Sequence, residues 1–174
     1  MTPLIEEIRN LPAGSPEETR IRNRFIGFIE ENPDCFFRSN LKGHITASAF
    51  VIDRAARKLL LIHHKKLDKW LQPGGHCDGD EDTLAVAIRE VFEETGVEIA
   101  AQDQRIVDLD IHTIPERKEV PEHEHFDVRY LFESDAEKPL TRNHETLALQ
   151  WIAFEDIRKY TGEESVLRIL GKIG

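Results

Sequence analysis

The segment Gly75–Val97, GHCDGDEDTLAVAIREVFEETGV, constrains this chain more than any other stretch of its 174 residues. From Asp80 to Glu94 the apolar residues Leu84, Ala87, Ile88 and Val91 recur at helical spacing, which predicts one amphipathic helix with an inward stripe. Gly96 stands where a C-cap glycine stops a helix, and a Pro-Gly-Gly turn, Pro73 to Gly75, precedes the segment. Glu90, Glu93 and Glu94 lie at i, i+3 and i+4, so their carboxylates share one face of the last turns. The helix dipole disfavours acids there by about 0.3–1 kcal/mol each, and like-charged neighbours add roughly a few tenths more. A helix built for stability alone would carry lysine or arginine at these positions. A hard divalent cation such as Mg²⁺ would justify the acids, because it gathers carboxylate oxygens, water and substrate phosphate into one shell. A solvated acidic face is the plainer alternative.

The rest of the chain supplies a sheet and more helices. Thr2 to Asn10 and Pro16 to Glu31 read as helices, the second with Ile21, Phe25, Phe28 and Ile29 at helical spacing and Ser15-Pro16 as cap and first turn. Asn32-Pro33 ends it, and Phe36 and Phe37 are expected to pin this extension to the core. From His44 the period changes to that of strands: His44 to Asp53 and Lys58 to His64, joined by a turn at Arg54 to Arg57. Further strands are expected at Ile106 to Ile114, Phe126 to Phe132 and Leu147 to Trp151, and a last helix from Glu163 to Leu170. Helices mixed with short strands, on both sides of one sheet, imply an α/β sandwich.

The segment Gly75–Val97 resembles the Nudix signature without a gap. The positions that carry the resemblance are Gly75, Glu81, Arg89, Glu90, Val91, Glu93, Glu94, Gly96 and Val97. It implies an α/β/α sandwich with a mixed sheet, here a domain over 41–174 preceded by a helical extension over 1–40. It also implies attack by water on a diphosphate linked to a nucleoside or another moiety, with Mg²⁺ or Mn²⁺ as cofactor. By the same resemblance Glu90, Glu93 and Glu94 bind the metal, and the carbonyl of Gly74 completes its shell. Arg89 orients the glutamates by ion pairing, and Gly75 and Glu81 support the arrangement. Two candidates stand for the general base: Glu90, and Glu145 in the loop Arg142-Asn143-His144-Glu145-Thr146.

The histidines form a second constellation. His123 and His125 lie at i and i+2 of a strand and so share a face. With His44 at a strand start and His76 after the Gly-Gly turn, they offer imidazoles that suit Zn²⁺ or another transition metal better than Mg²⁺, or else bind phosphate. The placement is similar to an additional metal site of isopentenyl diphosphate isomerase, a relative of the Nudix fold. That enzyme has a catalytic cysteine where this chain has Gly74, and Cys77 falls on the other side of the histidine, so Cys77 reads as a bystander. Besides a hydrolase, an isomerase-like enzyme and a binding module without turnover remain open.

Among the remaining residues, Trp70 and Arg129 are candidate substrate contacts, and Lys65, Lys66 and Lys69 are weaker phosphate contacts. Asp127 is expected on the same face as His125. Trp151 is expected in the core, and His63, His64 and His112 receive no role. The formal net charge of −10 makes a nucleic-acid polymer or an anionic membrane a poor partner, but a small diphosphate can be bound through a metal. No apolar run reaches the roughly 18 residues of a membrane span. Acids replace the basic residues of a signal peptide near the N-terminus. Cys35 and Cys77 make no disulfide framework, so a cytoplasmic setting is expected. The extension is expected to cover the pocket or to mediate a homodimer.

Overall fold

A computed structural model describes residues 3–100, 105–117 and 120–173. Helices α1 (Pro3–Asn10) and α2 (Pro16–Glu31) precede strands β1 (Gly43–Asp53), β2 (Lys58–His64), β3 (Lys69–Leu71) and β4 (Gly74–His76). Helix α3 (Thr83–Thr95) follows, then β5 (Arg105–Ile114), β6 (His123–Glu133) and β7 (Thr146–Ala153). A 3₁₀ turn at Phe154–Asp156 leads into short helices α4 (Ile157–Tyr160), α5 (Glu164–Leu167) and α6 (Leu170–Ile173). Thr2, the expected first helical residue, lies outside the described residues.

The described strands form a seven-stranded sheet in the order β3-β2-β1-β6-β5, with β4 also on β1 and β7 also on β2. β1 and β6 run parallel and the other pairs antiparallel, so the sheet is mixed. Helices α1, α2 and α3 cover one face. There Ile8, Phe25, Ile45, Ala47, Val86, Val91, Val128 and Tyr130 belong to one buried cluster. The 3₁₀ turn and α4–α6 cover part of the other face, where Phe50, Ile52, Leu59, Leu61, Ile157 and Ile169 form a second. This is an α/β sandwich, and β1, covered on both sides, is buried along nearly its whole length.

The N-terminal helices are part of the core. Leu4, Ile5 and Ile8 of α1 are buried, and Phe28 of α2 stacks on Phe126 of β6 at 4.0 Å between centroids. Phe36 is buried as expected. Phe37 is half exposed and lies over Gly79, whose φ of 94° and lack of a Cβ allow the ring to approach. Among the described residues no helix is long and apolar enough to cross a membrane.

Several boundaries differ from the sequence expectation. Helix α3 begins at Thr83, because the Asp82 side chain accepts the Ala85 N–H as N-cap. Gly96 ends it at φ 74°, as its place implied. Gly74 and Gly75, read as part of a turn, belong to β4, paired with Ser48 and Ala47 of β1. A Cβ on Gly74 would overlap Ser48, so glycine is what lets the two backbones meet. Strand β6 begins at His123 rather than Phe126 and contains His123 and His125, as their reading on one strand face implied. The expected final helix Glu163–Leu170 is two short helices, α5 and α6, joined by i→i−3 bonds such as Ile169 N–H to Val166 O.

Candidate active site

Helix α3 sets three carboxylates over the edge formed by β4. Its placement is fixed by Val86, Ala87 and Val91, all buried, and by the Thr83 hydroxyl against the Tyr130 hydroxyl at 2.8 Å. Glu94 is buried, Glu90 partly buried and Glu93 exposed. The Gly74 N–H donates to Glu94 Oε2 at 2.9 Å. A Cβ on Gly75 would come within 2.5 Å of the Glu90 carboxyl carbon. The two glycines are thus a floor on which the carboxylates rest.

The electrostatics of this group are those of acids short of cations. Burial pushes the Glu94 carboxyl up to about 8, the Gly74 N–H partly opposes this, and Glu90, Glu145 and Glu93 add repulsion. Burial and then the neighbouring Glu93 also raise Glu90 above the ordinary range. Among the described residues Glu94 makes no ion pair. Arg89, expected to orient the glutamates, approaches Asp80 at 3.6 Å and Glu90 at only 4.0 Å. Glu81 is exposed, and its carbonyl accepts the Thr83 N–H. The donor set of hard, crowded carboxylate oxygens fits a divalent cation of the Mg²⁺ or Mn²⁺ type.

Glu145 comes to this side from the loop before β7. Its carbonyl accepts the Lys65 N–H, and its carboxylate pairs with Lys66 at 3.2 Å. The Lys66 hydrogen bond holds that carboxyl below its ordinary range, so Glu145 is ionised at neutral pH. Its charge is felt at Glu94. Sequence reading missed Arg38, which grips Asp78 through both carboxylate oxygens and senses the charges of Glu90 and Glu145. Nothing local marks Arg38, because its partner lies 40 residues away. Burial pushes the Cys77 thiol up to about 12, which leaves it protonated and inert.

The other face of the sheet carries the histidines. Ring centroids lie 5.1 Å apart for His44–His76, 5.1 Å for His44–His123, 4.7 Å for His44–His125 and 5.0 Å for His76–His125. The four expected histidines therefore meet. His112 joins them at 5.3 Å from His125, because β5 pairs His112 directly opposite His125. Only the strand pairing could have revealed it. Burial and then neighbouring charged groups hold His76 at about 4 and His125 at about 2. Both are neutral.

The remaining candidates are placed elsewhere. Arg129, expected to contact phosphate, is instead buried on the histidine face with its guanidinium on Asp127 at 2.8 Å and Asp110 at 3.0 Å. Three nearby carboxylates, including Asp108 at 3.5 Å, make it an internal counterion. Asp127 shares the face of His125 but is engaged by Arg129 and by the Thr46 and Ser48 hydroxyls. Trp70 stacks on His63 at 5.0 Å and meets Tyr160 edge-on, packed with the cluster under α4–α6. Trp151 packs partly buried against the α1–α3 cluster. Lys69 pairs with Glu163.

Residues 42–170 match the family model described as NUDIX domain. A probable DHNTP pyrophosphohydrolase of Lactococcus lactis is 31% identical over 137 residues, covering 78% of this chain and 80% of that protein. Phosphatase NudJ of Escherichia coli is 29% identical over 131 residues, covering 72% of this chain and 78% of its own length. Two solved structures share the fold: the E. coli dihydroneopterin triphosphate pyrophosphohydrolase (TM-score 0.59, 16% identity, 72% and 91% covered) and a MutT NUDIX hydrolase of Burkholderia pseudomallei (TM-score 0.60, 20% identity, 76% and 98% covered).

Proposed function

This chain belongs to the Nudix family of hydrolases, and from that premise we propose that it cleaves a nucleoside diphosphate linked to a second moiety, with Glu90, Glu93 and Glu94 as its Mg²⁺ or Mn²⁺ ligands. The observation that carries this reading is the crowding of the buried Glu94 and partly buried Glu90 carboxylates on the Gly74–Gly75 floor, with no cation among the described residues within ion-pair distance of Glu94. A divalent ion held there supplies charge neutralisation for the diphosphate and acidifies a nearby water. The chain's own residues do the rest. Gly74 contributes its N–H to Glu94 and so fixes that carboxylate's direction. Gly75 leaves room for Glu90. Arg89 steadies Glu90 from the exposed side at long range.

Glu145 is the proposed general base, in preference to Glu90. A base must be ionised when substrate arrives, and Lys66 keeps Glu145 so, whereas burial favours the neutral form of Glu90. Arg38 is proposed to offer its guanidinium to a substrate phosphate, which would compete with Asp78 for it. The extension over 1–40 would then cover the pocket as well as complete the core. The loops that choose the leaving moiety lie outside α3.

The test is turnover with Mg²⁺ and separately Mn²⁺ on nucleotide sugars, dinucleoside polyphosphates, ADP-ribose, NADH and deoxynucleoside triphosphates. Dihydroneopterin triphosphate joins the panel because the L. lactis relative is named for it. Product formed by the native protein and lost in Glu93→Gln establishes the reading. Tight nucleotide binding without product would replace it with a binding module, and an isomerised diphosphate with an isomerase.

A further inference from the structure

We propose that His44, His123 and His125 hold a tightly bound transition-metal ion of the Zn²⁺ class on the sheet face opposite α3, with His76 closing a fourth side. One ligand nitrogen from each of the three lies within 4.8 Å of the other two. A tetrahedral site with metal–nitrogen bonds near 2.05 Å needs its nitrogens about 3.4 Å apart, so small ring rotations complete it. The His76 ring lies 5.1 Å from His44 and 5.0 Å from His125.

The unpartnered nitrogens point to a ligand. His44 is 3% exposed, and both its ring nitrogens are buried without a hydrogen-bond partner among the described residues. The same holds for His125 Nε2. Burying such a group unpaired costs about 1–3 kcal/mol, and three on one spot need a reason. A metal ion takes one nitrogen of His44 together with His125 Nε2, each residue offering one ligand atom, while a hydrogen-bonding core would have paired them with hydroxyls, as Thr46 and Ser48 are paired on Asp127 two and four residues along the same strand.

The surroundings orient the ligands. His123 Nδ1 lies 2.9 Å from the Pro121 carbonyl, so a neutral ring donates its proton there and turns the Nε2 lone pair inward. His112 Nδ1 lies 2.9 Å from Asp110 Oδ2, and Arg129 and Arg168 fix that carboxylate in turn. His112 is therefore a positioning residue against His125. Imidazole nitrogens select Zn²⁺, Co²⁺ or Ni²⁺ over Mg²⁺, whose preference is for oxygen. The inference does not rest on the diphosphate reading, since its ligands are distinct from the glutamates.

The probe is Co²⁺ added to metal-stripped protein in excess Mg²⁺, followed by gel filtration, metal analysis and visible absorption. The expected result is one retained Co²⁺ per chain, with the intense d–d bands of a nitrogen-rich site of low coordination number. Those bands persist in Glu93→Gln. They vanish in His125→Asn and weaken about a hundredfold in affinity in His123→Gln. His123→Gln sits at the start of β6 and serves where the more central substitution unfolds the chain, with circular dichroism as the check. Folded native protein that retains no Co²⁺ would overturn the proposal. So would bands that survive both histidine variants, or bands that disappear with Glu93→Gln.

Discussion

The two faces of the sheet gather donors of opposite character within one residue of each other. Gly75 looks toward α3, where the Glu90 carboxylate fills the space a Cβ would take. His76, the next residue, sits opposite Thr46 and turns to the other face, against His44 and His125. The glutamate side is crowded with acids, opens to solvent at Glu93, and is suited to an ion that exchanges with substrate. The histidine side gathers imidazoles around the buried His44 and is backed by paired charges such as Arg129–Asp110. A hard-ion site and a borderline-ion site can share a strand because strand alternation separates them and donor chemistry sorts the ions.

The sharpest way to break this contrast is Glu94→Gln. It should cut Mg²⁺-dependent turnover on the order of 10³-fold while leaving Co²⁺ on the histidine face, read by kcat and by the visible bands in one preparation. Loss of both would mean a single coupled site. Glu145→Gln comes next. Removing a positioned base should lower kcat about 10²–10³-fold, with Mg²⁺ affinity nearly unchanged in a calorimetric titration. An unchanged kcat would return the base to Glu90.

Gly75→Ala tests the division within β4. The added methyl displaces Glu90 and should cost about 10² in kcat/KM, since misplacement by about an ångström is enough. Gly74→Ala should damage both sites, because its Cβ overlaps Ser48 and lies 2.8 Å from the Ala47 carbonyl, forcing the strand itself to move. Equal behaviour of the two variants would erase the distinction.

The smallest effect is in pH. Glu94 is raised from an ordinary 4.5 to about 8, so each bound Mg²⁺ must displace a proton below that value. Affinity should fall by up to about tenfold per unit as pH drops from 8, measured by titration in buffers of different ionisation heat. In metal-free protein the sign reverses. A carboxyl whose folded value is raised adds stability below about 4.5 and loses it as pH rises toward 8. Between about 4 and 6.5 the buried His76 and His125 act with the opposite sign, so the test window is 6.5 to 8: denaturant midpoints without metal should decline there, and a rise would show that Glu94 ionises freely.

What the sequence disclosed follows the range of the interactions. Helix α3 was readable because its apolar spacing and its cap glycine are local, and β2 was readable to the residue because its apolar run is uninterrupted. The glutamate face needed only helical periodicity. The meeting of His44, His76, His123 and His125 was anticipated from strand parity and a family likeness, but His112 needed the β5–β6 register. Strands β3 and β4 escaped notice because three residues, two of them glycine in β4, carry no periodic signal. Arg129 misled because a lone arginine in a sequence does not show the three aspartates that surround it.

The shortness of β4 has a consequence for how the chain can change. The connection from Leu71 to Gly74 has no slack that is not also phase. A single inserted or deleted residue there would shift the strand by one step and place the His76 imidazole on the face of α3, leaving Gly75 (insertion) or Cys77 (deletion) in its position among the histidines. Two sites would fail at one lesion. The linker at 72–73 should tolerate replacement of its side chains but not an odd change in length, in contrast to the turn at 54–57, whose contacts, Arg54 with Glu133 and Ile173 and Arg57 with Phe154, involve none of the residues of either site.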